Sequence, residues 1–408
     1  MVTDGIAAPS RTRQAALVVA AVALTGFTMR LAVTSVGAVL DDLQAGLPAS
    51  SGASGVLTTL PVLVFAAFGF AAPRLAHRHG EHRLMVAALA VSTLGLAGRA
   101  LSHGVVAFGL LSLLALVGGA IANVLMPTLV KRHFADRIGS MTAVYTTCLA
   151  IGSTAAAGLT VPIAHATGGW RGGLGSWAVV TALAMLPWLP TLRDDRPDPD
   201  AASRRLPVAL LARTRLGWAL ALMFGFQSFQ AYIAFGWFTD FFRHYSVSAT
   251  TAGALTAFFA GLSIPISMVI PTVAGRRPKL AVLVLAATAT AGYLGMLAAP
   301  VAGAWWWMLL AGIGSGMFPL SLTFIGLRSR QVASTAALSA FSQGVGYLVA
   351  GTGPLLVGLL LDVTGDDWTW PLLLLIVANL LAAGFGLYAA GDRLVDDQLP
   401  VSTPASPA

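Results

Sequence analysis

Long runs of apolar residues, almost free of charge and separated by short polar stretches, make up most of the chain. A helix needs roughly 20 mainly apolar residues to cross the hydrocarbon core of a bilayer. Twelve segments meet that requirement: 15–40, 53–72, 84–102, 105–130, 140–164 and 172–190, then 214–240, 250–273, 280–299, 303–327, 333–361 and 370–390. They are apolar on every side and lack the alternation over about ten residues that marks a membrane-spanning strand. The predicted fold is therefore all-α, with twelve transmembrane helices in two six-helix bundles. Between them, 191–213 holds Arg193, Asp194, Asp195, Arg196, Pro197, Asp198, Pro199 and Asp200, a mixture of charge and proline that reads as a linker. The expected organisation is a tail over 1–14, a bundle over 15–190, a cytoplasmic linker over 191–213, a second bundle over 214–391, and a Pro/Ser-rich tail over 392–408 expected to be disordered.

Composition removes whole classes of function. Of 408 residues, 57% are apolar and 10% charged, whereas soluble domains run near 45–50% and about 25%. A soluble enzyme, a nucleic-acid binder and a disordered chain are excluded. The net charge of +8 then reads as membrane topology. Most of the 24 basic residues, all arginine except Lys131 and Lys279, fall in the N-terminal segment, alternate loops, the linker and the C-terminal tail. That bias places both termini in the cytoplasm of a bacterial-type membrane. Outer ends hold only Arg99, Arg171 and Arg243, beside the acids Asp41, Asp42, Asp366 and Asp367, and Trp305–Trp307 suit an outer aromatic belt. The single Cys148 permits neither an internal disulfide nor a thiolate metal cluster. A phosphate-binding Gly-x-x-x-x-Gly-Lys loop is absent, which excludes a nucleotide-driven pump in one chain. The expected partners are the lipid bilayer and a small-molecule solute, with no nucleic acid and no cofactor.

The halves echo one another. Pro73-Arg74-Leu75-Ala76-His77-Arg78 after the second span matches Pro271-Thr272-Val273-Ala274-Gly275-Arg276 after the eighth, and Ala120–Pro127 in the fourth matches Gly312–Pro319 in the tenth. A duplicated six-helix unit gives two parallel halves with solute binding between them near the bilayer midplane.

More specific strings point to a family. They are Arg30-Leu31-Ala32-Val33-Thr34-Ser35-Val36-Gly37, Leu57-Thr58-Thr59-Leu60-Pro61-Val62-Leu63, Asn123–Pro127 running into Lys131-Arg132, and Gln227-Ser228 followed by Tyr232 and Trp237. Phe318-Pro319, Ile325-Gly326-Leu327-Arg328 and Gln343-Gly344-Val345-Gly346-Tyr347 complete them. From about Gly26 to Leu381 the chain resembles the cyanate and 2-nitroimidazole transporter branch of the major facilitator superfamily. That resemblance implies a monomeric secondary transporter working by alternating access. The superfamily's loop between spans two and three is usually Gly-x-x-x-Asp-Arg-x-Gly. Here Pro73 stands at the first glycine and His77 at the aspartate, while Arg78, Gly80 and Arg83 are kept. Arg74, Arg78, Gly80 and Arg83 are the candidate gating residues, against the alternative of plain positive-inside anchoring.

Arg30 is the sharpest chemical signal, read as the one charged residue well inside a span. An arginine at the centre of a membrane helix costs about 2.5–3.5 kcal/mol on insertion scales. Gly26, Arg30, Thr34 and Gly37 share one helical stripe, and no acid lies at comparable depth. A cation without a neighbouring anion favours an anionic or strongly electron-rich solute. With no acid or histidine at a span centre, a carboxylate proton relay is not expected. Gln227, Gln230 and Trp237 share a face of span seven, the counterpart of span one, and Tyr232 lies off that face. Asn123, Tyr145, Gln343 and Tyr347 are further candidate solute-binding residues, with interhelical hydrogen bonding as their ordinary alternative. Thr58, Thr59 and Pro61 read as a kink. The small-residue run Gly152–Gly158 and Gly346, Gly351 and Gly353 read as the rocking surface between the halves, where spans five and eleven meet, with plain close packing as the alternative that explains most of it. No catalytic constellation lies within the spans. The leading expectation is a carrier for a small anionic or planar polar solute, cyanate-like. The alternatives are an efflux carrier for neutral heteroaromatic drugs such as nitroimidazoles, and a non-transporting receptor or scaffold.

Overall fold

The computed structural model describes residues 11–39, 43, 51–195 and 206–399, with side chains from Ala15 onward apart from 51–60 and Asp194. Asp41, Asp42, the Thr58 and Thr59 side chains, and 196–205 of the linker lie outside the described residues. In chain order the helices are α1 (Arg11–Thr28), α2 (Leu31–Ala38), α3 (Ser51–His79), α4 (Glu81–Leu101), α5 (Val105–His133), α6 (Ile138–Ala166) and α7 (Trp170–Met185). There follow α8 (Arg215–His244), α9 (Ala249–Arg276), α10 (Pro278–Ala298), α11 (Ala304–Gly314), α12 (Met317–Leu327), α13 (Val332–Thr364) and α14 (Thr369–Ala389). All regular elements among the described residues are helical, as an apolar solvent demands, because in lipid every backbone polar group needs an internal partner. Eleven spans are long and apolar enough to cross a membrane, and α3, 29 residues long, is the twelfth. The first span is broken at Met29–Arg30 between α1 and α2, the tenth at Ser315–Gly316 between α11 and α12.

The packing repeats as the sequence does. In the first half α1 packs on α6, α4 on both α5 and α7, and α3 on α5; in the second, α8 packs on α13, α10 on α11 and α14, and α9 on α11. Each of these pairings recurs six spans later. Across the seam α3 meets α13 and α6 meets α9. Advancing each helix by six spans, and wrapping past twelve, turns the first contact into the second, so the halves are related by a pseudo-twofold. Small residues set the approach: a Cβ on Gly69 would lie 2.9 Å from the Gly344 Cα, and one on Gly351 2.7 Å from Val62 Cγ1.

This arrangement corrects the expectation that the halves rock where spans five and eleven meet. Gly152 of α6 packs against the Phe27 carbonyl in its own half, and Gly346 and Gly353 pack against Phe224 and Phe229 in theirs. Span five faces span eight, and span eleven faces span two.

At the face carrying the linker the halves touch. A Cβ on Gly139 would meet the Pro271 carbonyl at 2.7 Å, one on Gly326 would meet Ile138 at 2.7 Å, and Lys131 Nζ donates to the Gly326 carbonyl at 3.4 Å. Toward the opposite face, exposed Gly37 has nothing within 4 Å of where a Cβ would stand. There Trp305 and Trp306 are exposed, and Trp307 folds over Gly303 with its indole nitrogen donating to the Ala299 carbonyl at 2.9 Å.

Two segments expected to be loose are docked where they are described. Leu186–Asp194 and Val208–Arg213 form 3-10 turns that bury Trp188, Thr191, Asp195 and Leu211. In the C-terminal tail, Val395–Gln398 forms another. Val395 is fully buried, and its N–H donates to the Arg328 carbonyl at 2.9 Å. The Arg330 N–H and the Ser334 hydroxyl both donate to Asp396, and the Leu216 N–H donates to Gln398 Oε1 at 3.0 Å. Composition pointed to disorder. Asp396 and Gln398 instead accept from backbone N–H groups just before span eleven and at the start of span seven, where helix N-termini leave donors without intrahelical partners.

Candidate functional site

The break in the first span exists to expose Arg30. Arg30 sits at φ −115°, ψ 0°, outside helical geometry, and its carbonyl gathers the N–H groups of Val33 and Thr34 at 3.0 Å. The Thr34 hydroxyl, half-buried, donates to the same carbonyl at 3.0 Å. The half-buried guanidinium reaches across to the other half. It lies 5.8 Å from the ring centre of Phe65 on α3 and 5.7 Å from that of Phe318 on α12, within cation–π range of both. Its polar neighbours are the hydroxyls of Tyr232 on α8 and Tyr347 on α13. Among the described residues no carboxylate pairs with it.

Behind Tyr347 runs a hydrogen-bond chain whose direction is fixed. The Ser339 hydroxyl donates to the Val124 carbonyl at 2.8 Å, so it accepts from Gln343 Nε2 at 2.8 Å. Gln343 Nε2 also donates to the Asn123 carbonyl at 3.2 Å, which leaves Gln343 Oε1 to accept from Asn123 Nδ2 at 2.8 Å. The second Nδ2 hydrogen goes to the Tyr347 hydroxyl at 2.7 Å. The Arg30 guanidinium and the Asn123 NH2 group are donors only. The Tyr347 hydroxyl, which accepts from Asn123, keeps its own hydrogen to donate, and Asn123 Oδ1 is buried without a partner. Phe65 and Phe224 clasp the Tyr347 ring edge-on, both at 5.1 Å. Asn123 and Gln343 thus act as interhelical glue and as the device that aims Tyr347.

The other expected site residues lie elsewhere. Gln227 donates to the Phe224 carbonyl of its own helix and to the adjacent Ser228 hydroxyl. Gln230 donates to the Phe226 carbonyl and accepts from the Tyr293 hydroxyl of α10, both at 3.1 Å and both within the second half. Trp237 packs edge-on against Trp368 at 6.2 Å near the far face. Tyr145 is fully buried on α6, its carbonyl 2.5 Å from where a Cβ on Gly26 would stand, and no contact links it to Arg30. Tyr232, set aside because it leaves the Gln227 face, is the span-seven residue at the cation. A comparison of depth rather than of face would have found it, since it and Arg30 both lie just past the middle of their spans.

A second cation was misread. Arg99 stands at the end of span three in sequence, yet it is completely buried. Nη1 donates to the Ala32 carbonyl and Nη2 to the Ser35 hydroxyl, both at 2.8 Å, while Nε has no partner. It thereby pins the half-helix that begins immediately after Arg30. Of the proposed gate, the Arg74, Arg78 and Arg83 side chains are exposed and form no ion pair among the described residues. Gly80 and the Arg83 backbone are engaged instead by Asp195.

Two pseudo-symmetric helical bundles, closed over one face and holding a cation at their shared seam, define a membrane transporter rather than an enzyme. Residues 21–351 match the model of the Major Facilitator Superfamily, and the chain belongs to that family. It is 35% identical over 377 residues to the uncharacterized transporter YycB of Bacillus subtilis (strain 168), covering 90% of this chain and 92% of that protein. It is 34% identical over 386 residues to the 2-nitroimidazole transporter of Escherichia coli (strain K12), covering 92% and 96%. To the cyanate transport protein CynX of the same organism it is 26% identical over 367 residues, covering 89% and 95%. In fold it resembles the proton:xylose symporter XylE, with a TM-score of 0.68 at 12% identity, covering 93% of this chain and 95% of that one.

Proposed function

We propose that the chain carries a small anionic or planar polar solute, cyanate-like in its chemistry, across a bacterial cytoplasmic membrane by alternating access, with the linker face in the cytoplasm. One observation carries this reading: Arg30 lies at the seam with no carboxylate paired to it among the described residues, flanked by two tyrosine hydroxyls and two aromatic faces contributed by both halves. Leaving a guanidinium uncompensated in a low-dielectric seam is costly, and an acceptor-rich solute removes that cost while bridging the halves. The Tyr347 hydrogen supplies a further donor to such a guest. Arg30, Tyr232 and Tyr347 hold the solute, and Asn123 with Gln343 orients Tyr347. The excess of arginine at the linker face supports its assignment to the cytoplasm.

Phe65 and Phe318 favour a second reading, in which a neutral nitro-heteroaromatic lies between the rings and Arg30 donates to its nitro oxygens. Thermal unfolding of purified protein with cyanate, small carboxylates and 2-nitroimidazole, beside Arg30→Gln, separates the readings. Anions that stabilise the parent and not the variant support the first. Heteroaromatics that stabilise both proteins support the second. Anions that stabilise both to the same degree refute the assignment of Arg30.

A further inference from the structure

At the linker face, away from the solute site, lies a polar cluster that transport through the seam does not use. His82, the second residue of α4, is completely buried. Its Nδ1 lies 2.7 Å from Asp195 Oδ1, and its Nε2 lies 2.8 Å from Nε2 of His133 at the end of α5. Asp195 Oδ2 accepts from the Arg83 N–H at 2.7 Å, and the Arg132 guanidinium, paired with Glu81 at 3.2 Å, stands 3.8 Å from Asp195. The Asp195 carboxylate occupies the space where a Cβ on Gly80 would be, and Gly80 has φ +89°. The aspartate missing from the loop between spans two and three is thus replaced by one arriving from the end of span six.

We propose that His82, His133 and Asp195 form a proton-binding site that latches the start of the linker to the first half, and that a second proton on the histidine pair opens the latch. The proton count follows from the geometry. A carboxylate only accepts, so His82 Nδ1 carries a hydrogen. One hydrogen, and only one, fits between the two Nε2 atoms at 2.8 Å. The pair tolerates one positive charge, on either ring, with the bond intact. A second puts two N–H groups face to face and two like charges in contact, and the bond breaks. His133 is half-buried and gives water a path to the enclosed His82.

The charged groups facing the cluster are Glu81 and Arg83 from α4, Arg132 and His133 from α5, and Asp195 from the linker, with His77, Arg78 and His79 on the last turn of α3 just before Gly80. Among the described side chains of α1 the link is Thr25, whose hydroxyl accepts from the Trp188 indole at 2.8 Å, and Trp188 packs on His82 at 5.9 Å. Burial works against the charge on Asp195. The hydrogen bonds from His82 and the Arg83 N–H, with the charges of His82 and Arg132, nonetheless hold its carboxyl below the usual carboxylate range. Asp195 is therefore held in its ionised form. The contacts Asp195–His82–Trp188–Thr25 run into α1, the helix that ends just before Arg30. The latch connects the linker to the helix that leads into the seam cation.

Hydrogen exchange of the full-length protein, read by mass spectrometry at pH 7.5 and pH 5.5 and corrected for the intrinsic chemical rate, tests this without a substrate. Peptides covering 79–85 and 186–195 are expected to exchange several-fold faster at the lower pH. His133→Gln, whose amide can donate to His82 Nε2 but cannot take a second proton, should abolish the step. Asp195→Ala, which removes the acceptors for both His82 Nδ1–H and the Arg83 N–H, should give fast exchange at both pH values. No step in the parent, or a step that survives in His133→Gln, overturns the proposal; should that variant fail to fold, His133→Asn replaces it in the same comparison.

Discussion

Replacing Tyr232 by phenylalanine isolates one hydroxyl at the seam. The ring stays in place, half-buried on α8, and its hydroxyl faces the Arg30 guanidinium. Little of the empty protein's stability depends on it. Its worth appears when a charged acceptor binds, and a hydrogen bond to a charged group contributes about 1.5–3 kcal/mol. At about 1.4 kcal/mol per tenfold, affinity for an anionic solute should fall roughly ten- to hundredfold in Tyr232→Phe. Gln227→Leu and Gln230→Leu on the same helix should stay close to the parent, because their amides are engaged within the second half. Tyr347→Phe is the instructive contrast. It also strips the acceptor from Asn123 Nδ2, so it should lower both affinity and the unfolding temperature of the empty protein. Equilibrium binding to detergent-purified variants, with Tm measured on the same samples, provides the readout. Parent-like binding by Tyr232→Phe together with loss of binding in Gln227→Leu would refute the assignment of span seven's contribution.

Arg99 and the membrane potential supply two further tests. Arg99→Gln leaves the Ala32 carbonyl or the Ser35 hydroxyl without its partner, at about 1–3 kcal/mol for each group left unsatisfied; it should lower Tm and weaken anion binding even though Arg99 does not face the solute, and unchanged affinity would show that α2 needs no such anchor. Moving a monovalent anion inward against an inside-negative potential costs about 2.3 kcal/mol per 100 mV, so in proteoliposomes net uptake of an anion should slow as a potassium-diffusion potential is made more negative inside, unless a second anion leaves in exchange; uptake that is indifferent to both potential and internal anion would contradict a charged substrate.

Much of this molecule was readable before its structure, for physical reasons that also mark where reading stops. Spans are legible because lipid forces every backbone group into helical bonds, and so apolar length alone specifies an element. The two halves were legible through Pro73 and Pro271, which fall at matching places in α3 and α9. Arg30 was legible as a charge without a reason to be in oil. Side-chain partners across the seam were not, because they depend on how one half is rotated against the other. Tyr232 was therefore passed over for three residues that turn back into their own bundle. Arg99 looked like an outer-end residue, since sequence position gives the depth of a Cα and not the direction in which a long side chain folds. Asp195 was hidden in a run of charges whose composition says linker, although one carboxylate there meets a glycine loop and a buried histidine from α4.

The central claim is that Arg30 is held at the seam to meet a solute. Its most direct test is an electron cryomicroscopy structure of the protein with the anion that best raises its Tm. The account predicts density for that anion between the halves, its acceptor atoms about 2.7–3.2 Å from the Arg30 guanidinium and one of them receiving the Tyr347 hydrogen. An anion bound away from Arg30, or an Arg30 guanidinium turned to lipid or closed onto a carboxylate while the anion is bound, would contradict it.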